Sequence, residues 1–248
     1  MVYANAMSDT SYYTPKVVLA VGAHADDIDI TCGGSLARWS NEGAAIYYLI
    51  LTDSSCGSDD ESMTREQLTA HRQEEQRAAA ILLGATDVFF GTHCDGTLEV
   101  TQELKLEVAR IIRKVKPDTV VTFDPTVIYD AEMGMINHTD HRAAGQATFD
   151  AFYPLARDRL SVPKLLSDEN LAPHKTPHLL LTNFSQQNYY VDITDTFEKK
   201  LDAIMLHKSQ FGEDRERMGG FMRERSEALG SKVGTTYAEG FMRIDVKF

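Results

Sequence analysis

Two short clusters of histidine and aspartate carry the chemistry that can be read from this chain: His24-Ala25-Asp26-Asp27 and His138-Thr139-Asp140-His141. Imidazole and carboxylate together suit zinc. A catalytic zinc takes three protein ligands and keeps one position for water. One histidine and one aspartate from the first cluster, with one histidine from the second, would supply that set. The ion would lower the pKa of its water to about 7 and polarise a carbonyl. A carboxylate left over could then take the water's proton. A histidine left over could hydrogen-bond a developing oxyanion or protonate a leaving amine. The residues alone do not decide which of Asp26 and Asp27 is the ligand and which the base. Either cluster by itself reads as readily as a helix cap with solvated charge. The pair, at strand ends of one sheet, points to a metal.

The elements that must position these clusters follow from hydrophobic periodicity. Lys16 to Val21 is a short β-branched run, as expected of a buried parallel strand. Ala45 to Leu51, Asp87 to Phe90 and Thr119 to Phe123 read as further strands. Helices are expected over Ser35 to Asn41, Thr64 to Leu83 and Leu104 to Val115, with Gly84 as a C-terminal cap and Pro117 as a stop. Strictly alternating strands and helices give a parallel sheet covered on both faces, a Rossmann-like, doubly wound α/β fold. Beyond it, His141 to Ala151 and Asp195 to His207 read as helices, the latter with a Thr194 cap. His178 to Thr182 and Tyr189 to Val191 read as strands, and Pro163 to Pro177 as a surface excursion. In such sheets ligands sit beyond the carboxyl ends of the strands. Both His/Asp clusters fall there.

Composition narrows the partners. With 25 Lys and Arg against 37 Asp and Glu, the 248 residues carry a net charge of -12. Such a surface repels phosphate backbones and excludes nucleic acid as a natural partner. The apolar runs are too short to span a membrane. Cys32, Cys56 and Cys94 are odd in number and widely spaced, which suits reduced thiols and a cytoplasmic location. Residues 1–15 are expected to form a flexible leader and 16–248 a single domain. The Gly33-Gly34 pair lacks the GxGxxG fingerprint, which argues against dinucleotide binding.

The ordered set of motifs resembles the LmbE-like, or PIG-L, family of N-acetylglucosaminyl deacetylases. The family's (P/A)HPDDE motif, GG pair and HxDH correspond to Ala23-His24-Ala25-Asp26-Asp27, Gly33-Gly34 and His138-Thr139-Asp140-His141. Arg72-Gln-Glu-Glu75 is similar to its R-x-x-E helix and Asp95-Gly96-Thr97-Leu98 to its D-G-x-L segment. His207-Lys-Ser209-Gln210 and Tyr237-Ala-Glu239 match its H-x-S-Q and Y-A-E elements. The resemblance runs from about Lys16 to Arg243. It implies a zinc-dependent hydrolase that removes an acetyl group from an N-acetylglucosamine-type sugar. It implies zinc, or another divalent metal such as Fe2+, on His24, Asp27 and His141. Asp26 becomes the general base, and His138 the oxyanion stabiliser oriented by Asp140. Arg72 and Asp95 are then expected to face the sugar. A small amino-sugar substrate and a homo-oligomer fit the same picture.

Two departures stand out. Ala25 replaces the family's proline, which is expected to loosen the loop. Ile28 replaces its acidic residue, so a hydrogen bond orienting a zinc ligand is either missing or supplied by Asp29. An amidase of thiol-sugar conjugates on the same metal site, and a non-catalytic metal- or sugar-binding module, are the alternative readings. Outside the motifs, Cys32 reads as a buried filler, His207 as structural and Asp53 as a loop cap. Without the resemblance, Arg72 reads equally as a helix charge and Asp95 as a turn former.

Overall fold

A computed structural model describes residues 12–131, 134–182 and 186–247. The expected doubly wound sheet forms around β1 (Val17–Gly22). It is flanked by β2 (Ala45–Thr52), β3 (Asp87–His93) and β4 (Thr119–Phe123). After a two-stranded hairpin of β5 (Tyr129–Asp130) and β6 (Met135–Ile136), the sheet adds β7 (His178–Thr182), β8 (Tyr189–Asp192) and β9 (Ala238–Asp245). The strand order is β3-β2-β1-β4-β7-β9-β8. The first five of these run parallel. β9 pairs antiparallel with both β7 and β8. The order reverses between β1 and β4, which makes the crevice beyond their carboxyl ends the natural ligand position.

Period-two alternation sorts the strand residues onto two cores. Leu19, Val21, Leu49 and Leu51 pack on one face with residues of α3 (Gln102–Val115) and α4 (Thr139–Asp150). Val18, Ala20, Ile46, Tyr48 and Ile50 pack on the other with α1 (Asp27–Asn41) and α2 (Arg65–Leu83). A five-residue π-turn, Ala151–Leu155, continues α4. The excursion expected over 163–177 holds a short helix, α5 (Pro163–Ser167). Buried Arg113 holds the chain on either side of α5, donating to the carbonyls of Leu155, Ala156 and Asp158 before it and of Leu171 after it.

Local chemistry explains most boundaries. Thr64 and Gln67 form a reciprocal capping box at the start of α2, and Gly84 closes it at φ +87°. α1 starts eight residues earlier than expected. Its aspartates and glycines read as loop, but the glycines admit close neighbours. A Cβ on Gly33 would meet Leu83 at 3.1 Å, and one on Gly34 would meet Ile193 at 2.9 Å. The helix expected over 195–207 is shorter, α6 (Phe197–Ile204), and Thr196 precedes it. Thr194 instead hydrogen-bonds Asp192 Oδ1.

Besides α5 and the β5–β6 hairpin, the periodicity reading missed α7 (Lys208–Phe211), α8 (Arg215–Val233) and β9. The inward face of α8 is Gly219, Met222, Ser226, Leu229 and Gly230, mostly small residues that leave no hydrophobic stripe. Of the leader expected over 1–15, residues 1–11 lie outside the described residues. Tyr13 rests on the body, its hydroxyl 2.9 Å from Thr119 Oγ1. Among the described residues no helix is long and apolar enough to cross a membrane.

Candidate metal centre

The loop after β1 turns directly into α1 and delivers His24, Asp26 and Asp27 to the crevice. Asp27 sits in the first helical turn. Its Oδ2 accepts from the backbone N–H groups of Ala23 (3.0 Å) and His24 (2.7 Å). The second cluster arrives on the N-terminus of α4. His138 is the N-cap, and its Nδ1 accepts from Asp140 N at 3.1 Å. His141 follows in the first turn and stacks flat on Phe123, at the end of β4, with ring centroids 4.1 Å apart.

The two clusters meet. His141 Nε2 lies 3.0 Å from Asp27 Oδ1, and His24 Nδ1 lies 3.4 Å from Asp27 Oδ2. His24, His138 and His141 bring ring nitrogens within 4.8 Å of one another. Each ring that faces Asp27 is held from behind. His24 Nε2 lies 3.1 Å from Asp95 Oδ1 and 3.2 Å from Asp140 Oδ2. His141 Nδ1 lies 3.2 Å from Asn137 Oδ1. An acceptor behind each ring fixes the proton on the outer nitrogen and leaves the inner lone pair for a cation. Two imidazoles and a carboxylate, so backed, fit a divalent ion such as zinc.

Electrostatics separates the adjacent aspartates. Burial raises the pKa of Asp26, and the charge of Asp27 raises it further. Arg72, His207 and His24 oppose this, and the carboxyl settles at about 7. Burial acts the same way on Asp27, but His141 and His24 outweigh it and hold that carboxyl well below the usual range. Burial disfavours charge on His24, yet its bonds to Asp140, Asp27 and Asp95 push it up to about 12. The crevice therefore stabilises positive charge where the rings converge. His138 is held below its usual value by burial and by the neighbouring rings of His24 and His141.

Several expectations need revision in detail. The carboxylate of Asp140 reaches His24, Gly96 N and Leu98 N; it meets His138 only through its own backbone N–H. Arg72 and Asp95 are 4% and 5% exposed, and both are engaged with protein. Arg72 donates to Ala25 O (2.7 Å), Cys56 O (3.0 Å) and Asp26 Oδ2 (3.2 Å). Asp95 Oδ2 accepts from Cys56 N. Ala25 does not leave the loop loose, because its N–H, which proline would lack, donates to Ser54 Oγ at 2.9 Å. Ile28 is a core residue, and Asp29 is fully buried among Tyr48, Gln76 and His207. Asp53 Oδ1 accepts from Ser55 N and Asp95 N.

Asn137 and Gln76 were not anticipated. The available signals were spacing: Asn137 lies four residues before His141, and Gln76 four after Arg72, on one helical face.

Comparison with known proteins finds relatives over most of the chain. The chain is 32% identical to the diacetylchitobiose deacetylase of Thermococcus kodakarensis over 91% of its own length and 82% of that protein's. The solved N,N'-diacetylchitobiose deacetylase of Pyrococcus horikoshii, in complex with an inhibitor, superposes with a TM-score of 0.84 at 32% identity, covering 93% of this chain and 84% of that one. A 4-carboxy-2-hydroxymuconate hydratase from Pseudomonas putida shares the fold, with a TM-score of 0.77 at 22% identity over 94% of this chain and 98% of its own. The sequence pattern of the GlcNAc-PI de-N-acetylases matches residues 19–152, just over half of the chain. Fold, converging clusters and sequence together make this chain a member of the PIG-L family.

Proposed function

We propose that the chain is a zinc-dependent N-deacetylase that releases acetate from the amide nitrogen of an N-acetylglucosamine-type sugar. The observation that carries the reading is the convergence of His24, Asp27 and His141, each imidazole backed by an acceptor, with a second carboxylate, Asp26, alongside. The relatives named as deacetylases of diacetylchitobiose and of an acetamido-glucopyranosyl inositol support the substrate class.

His24, Asp27 and His141 would hold the ion. When bound, it supplies Lewis acidity, acidifying water and polarising the amide carbonyl. Asp26 takes the proton of the attacking water, its carboxylate held by Arg72 Nη2. A pKa near 7 suits that work at neutral pH. His138 is fixed by its own cap. Its Nδ1 accepts from an obligate backbone donor, so the neutral ring carries its proton on Nε2. That N–H donates to the oxyanion as the carbonyl carbon becomes tetrahedral. Asp26 then returns the proton to the amide nitrogen, the C–N bond breaks, and acetate and a free amine leave. Arg72 and Asp95 act beneath the site, steadying Asp26 and His24. The zinc ligands, the base and the oxyanion donor thus occupy separate residues.

The test is release of primary amine from N-acetylglucosamine, N,N'-diacetylchitobiose and acetamido-glucosides of inositol and malate, with and without chelator. Release that stops with chelator and returns with zinc is the expected result. Folded, zinc-loaded protein inert on every member would overturn the proposal.

A further inference from the structure

Asp26 precedes α1 at φ +101° and ψ -34°, a backbone conformation that a non-glycine residue keeps only when its surroundings impose it. Its side chain is held by Arg72, but its backbone is held elsewhere. Asp26 N donates to Gln76 Oε1 at 2.9 Å. The other end of that amide, Gln76 Nε2, donates to Asp29 Oδ2 at 2.8 Å. The amide cannot be reversed, since Asp26 N–H is only a donor and the carboxylate of Asp29 an acceptor. Asp29 in turn accepts from Tyr48 Oη (3.0 Å) and lies 2.8 Å from His207 Nε2. Gln76, Asp29 and His207 are all fully buried.

The turn carrying His207 is clasped to α2 one residue away from Gln76. Glu75 accepts from both the N–H and the hydroxyl of Ser209, at 2.9 and 2.6 Å. The half-buried contact between Glu75 and Ser209 thus ties the R-x-x-E and H-x-S-Q motifs together beside the buried chain His207–Asp29–Gln76, which ends on the backbone of Asp26.

We propose that Gln76, anchored through Asp29 to His207, is a positioning residue that fixes the left-handed backbone of Asp26 and so aims its carboxylate at the water it deprotonates. The proposal rests on the assignment of Asp26 as base. Without the acceptor at Gln76, the buried N–H of Asp26 is orphaned and the strained φ loses its support. The residue then relaxes by rotation about its N–Cα bond. That rotation swings the carboxylate, while His24, Asp27 and His141 keep their own partners. The expected signature is a fault in turnover rather than in metal or substrate binding.

The experiment uses the full chain, zinc-loaded, with N,N'-diacetylchitobiose as probe. Gln76→Met removes the acceptor while keeping the volume. We expect kcat to fall about tenfold or more, KM to change less than about twofold, and zinc stoichiometry to hold, the pattern of an interaction realised in the transition state. In an Asp26→Asn background, Gln76→Met should lower the residual rate by less than about twofold, because coupled residues are not additive.

Wild-type kcat in folded Gln76→Met overturns the proposal. So does loss of zinc, or an equal loss in the Asp26→Asn background. Should Gln76→Met not fold, Gln76→Asn, whose shorter amide reaches neither partner, carries the same readouts. A crippled Asp26→Asn with an unimpaired Gln76→Met brings down this proposal alone. An Asp26→Asn enzyme with normal turnover brings down the assignment of the base as well.

Discussion

Asp26 and Asp27 share a peptide bond and are driven in opposite directions. Asp27 faces two imidazoles and stays ionised; Asp26 is buried beside that charge and is raised to about 7. Paired groups with separated pKa values mark a division of labour. As the proposed base, Asp26 must be ionised to work, so kcat/KM should rise with pH through about 7. A rate profile that stays flat from pH 5 to 9 would argue against Asp26 as the base. Stability should run the other way. The folded carboxyl holds its proton more tightly than the unfolded chain does. Its contribution is complete below the usual carboxylate range and is lost as pH rises through about 7. The same ionisation switches the base on and loosens the fold. At this scale the sequence was informative about residue types and silent about partners. His24 and His141 both lie within reach of Asp27. That the carboxylate of Asp140 serves His24, or that Gln76 reaches Asp26, depends on distances that no spacing encodes.

The crevice is only as well placed as the helices that line it. α4 carries His138 and His141 and lies against the end of β4 at Gly145. A Cβ there would meet Phe123 O at 2.5 Å and Pro125 Cδ at 3.3 Å. Gly145→Ala should push α4 outward and drag His141 from its stack on Phe123. We expect a loss of about 1–3 kcal/mol in stability, as for other overpacked contacts, together with weaker zinc binding. Thermal denaturation and zinc titration check both; wild-type values for the pair would show that α4 has slack. The parallel core was legible because each strand there is an apolar run closed by turn residues. The late elements were not. α8 buries glycine and serine against its neighbours, and β9 mixes Glu239 and Gly240 into a strand. Tertiary contacts, not periodicity, make those segments regular.

Over the whole molecule, fold and reaction are separable. A hydratase shares this architecture, so the fold by itself does not argue for amide hydrolysis. A metal that binds the folded state alone should also stabilise it. Zinc at a hundredfold over its Kd is worth about 2.7 kcal/mol, roughly a 5–10 °C rise in Tm for a chain of this size. Calorimetry with zinc and with chelator tests this, and identical Tm values would argue against a resident ion. The carboxylate of Glu239 has a different consequence. It accepts from Gly34 N and Ser35 N inside α1 and pairs with Lys200 in a buried bridge. It stands on a strand inserted between β7 and β8, 205 residues downstream of the first helix. At ribosomal speeds of about 5–20 residues per second, roughly 10–40 s separate the two segments during synthesis. For that interval α1 waits for the acceptor that Gly34 N and Ser35 N meet in the finished fold. The buried contacts of α1 are therefore completed only after the last strand has been made.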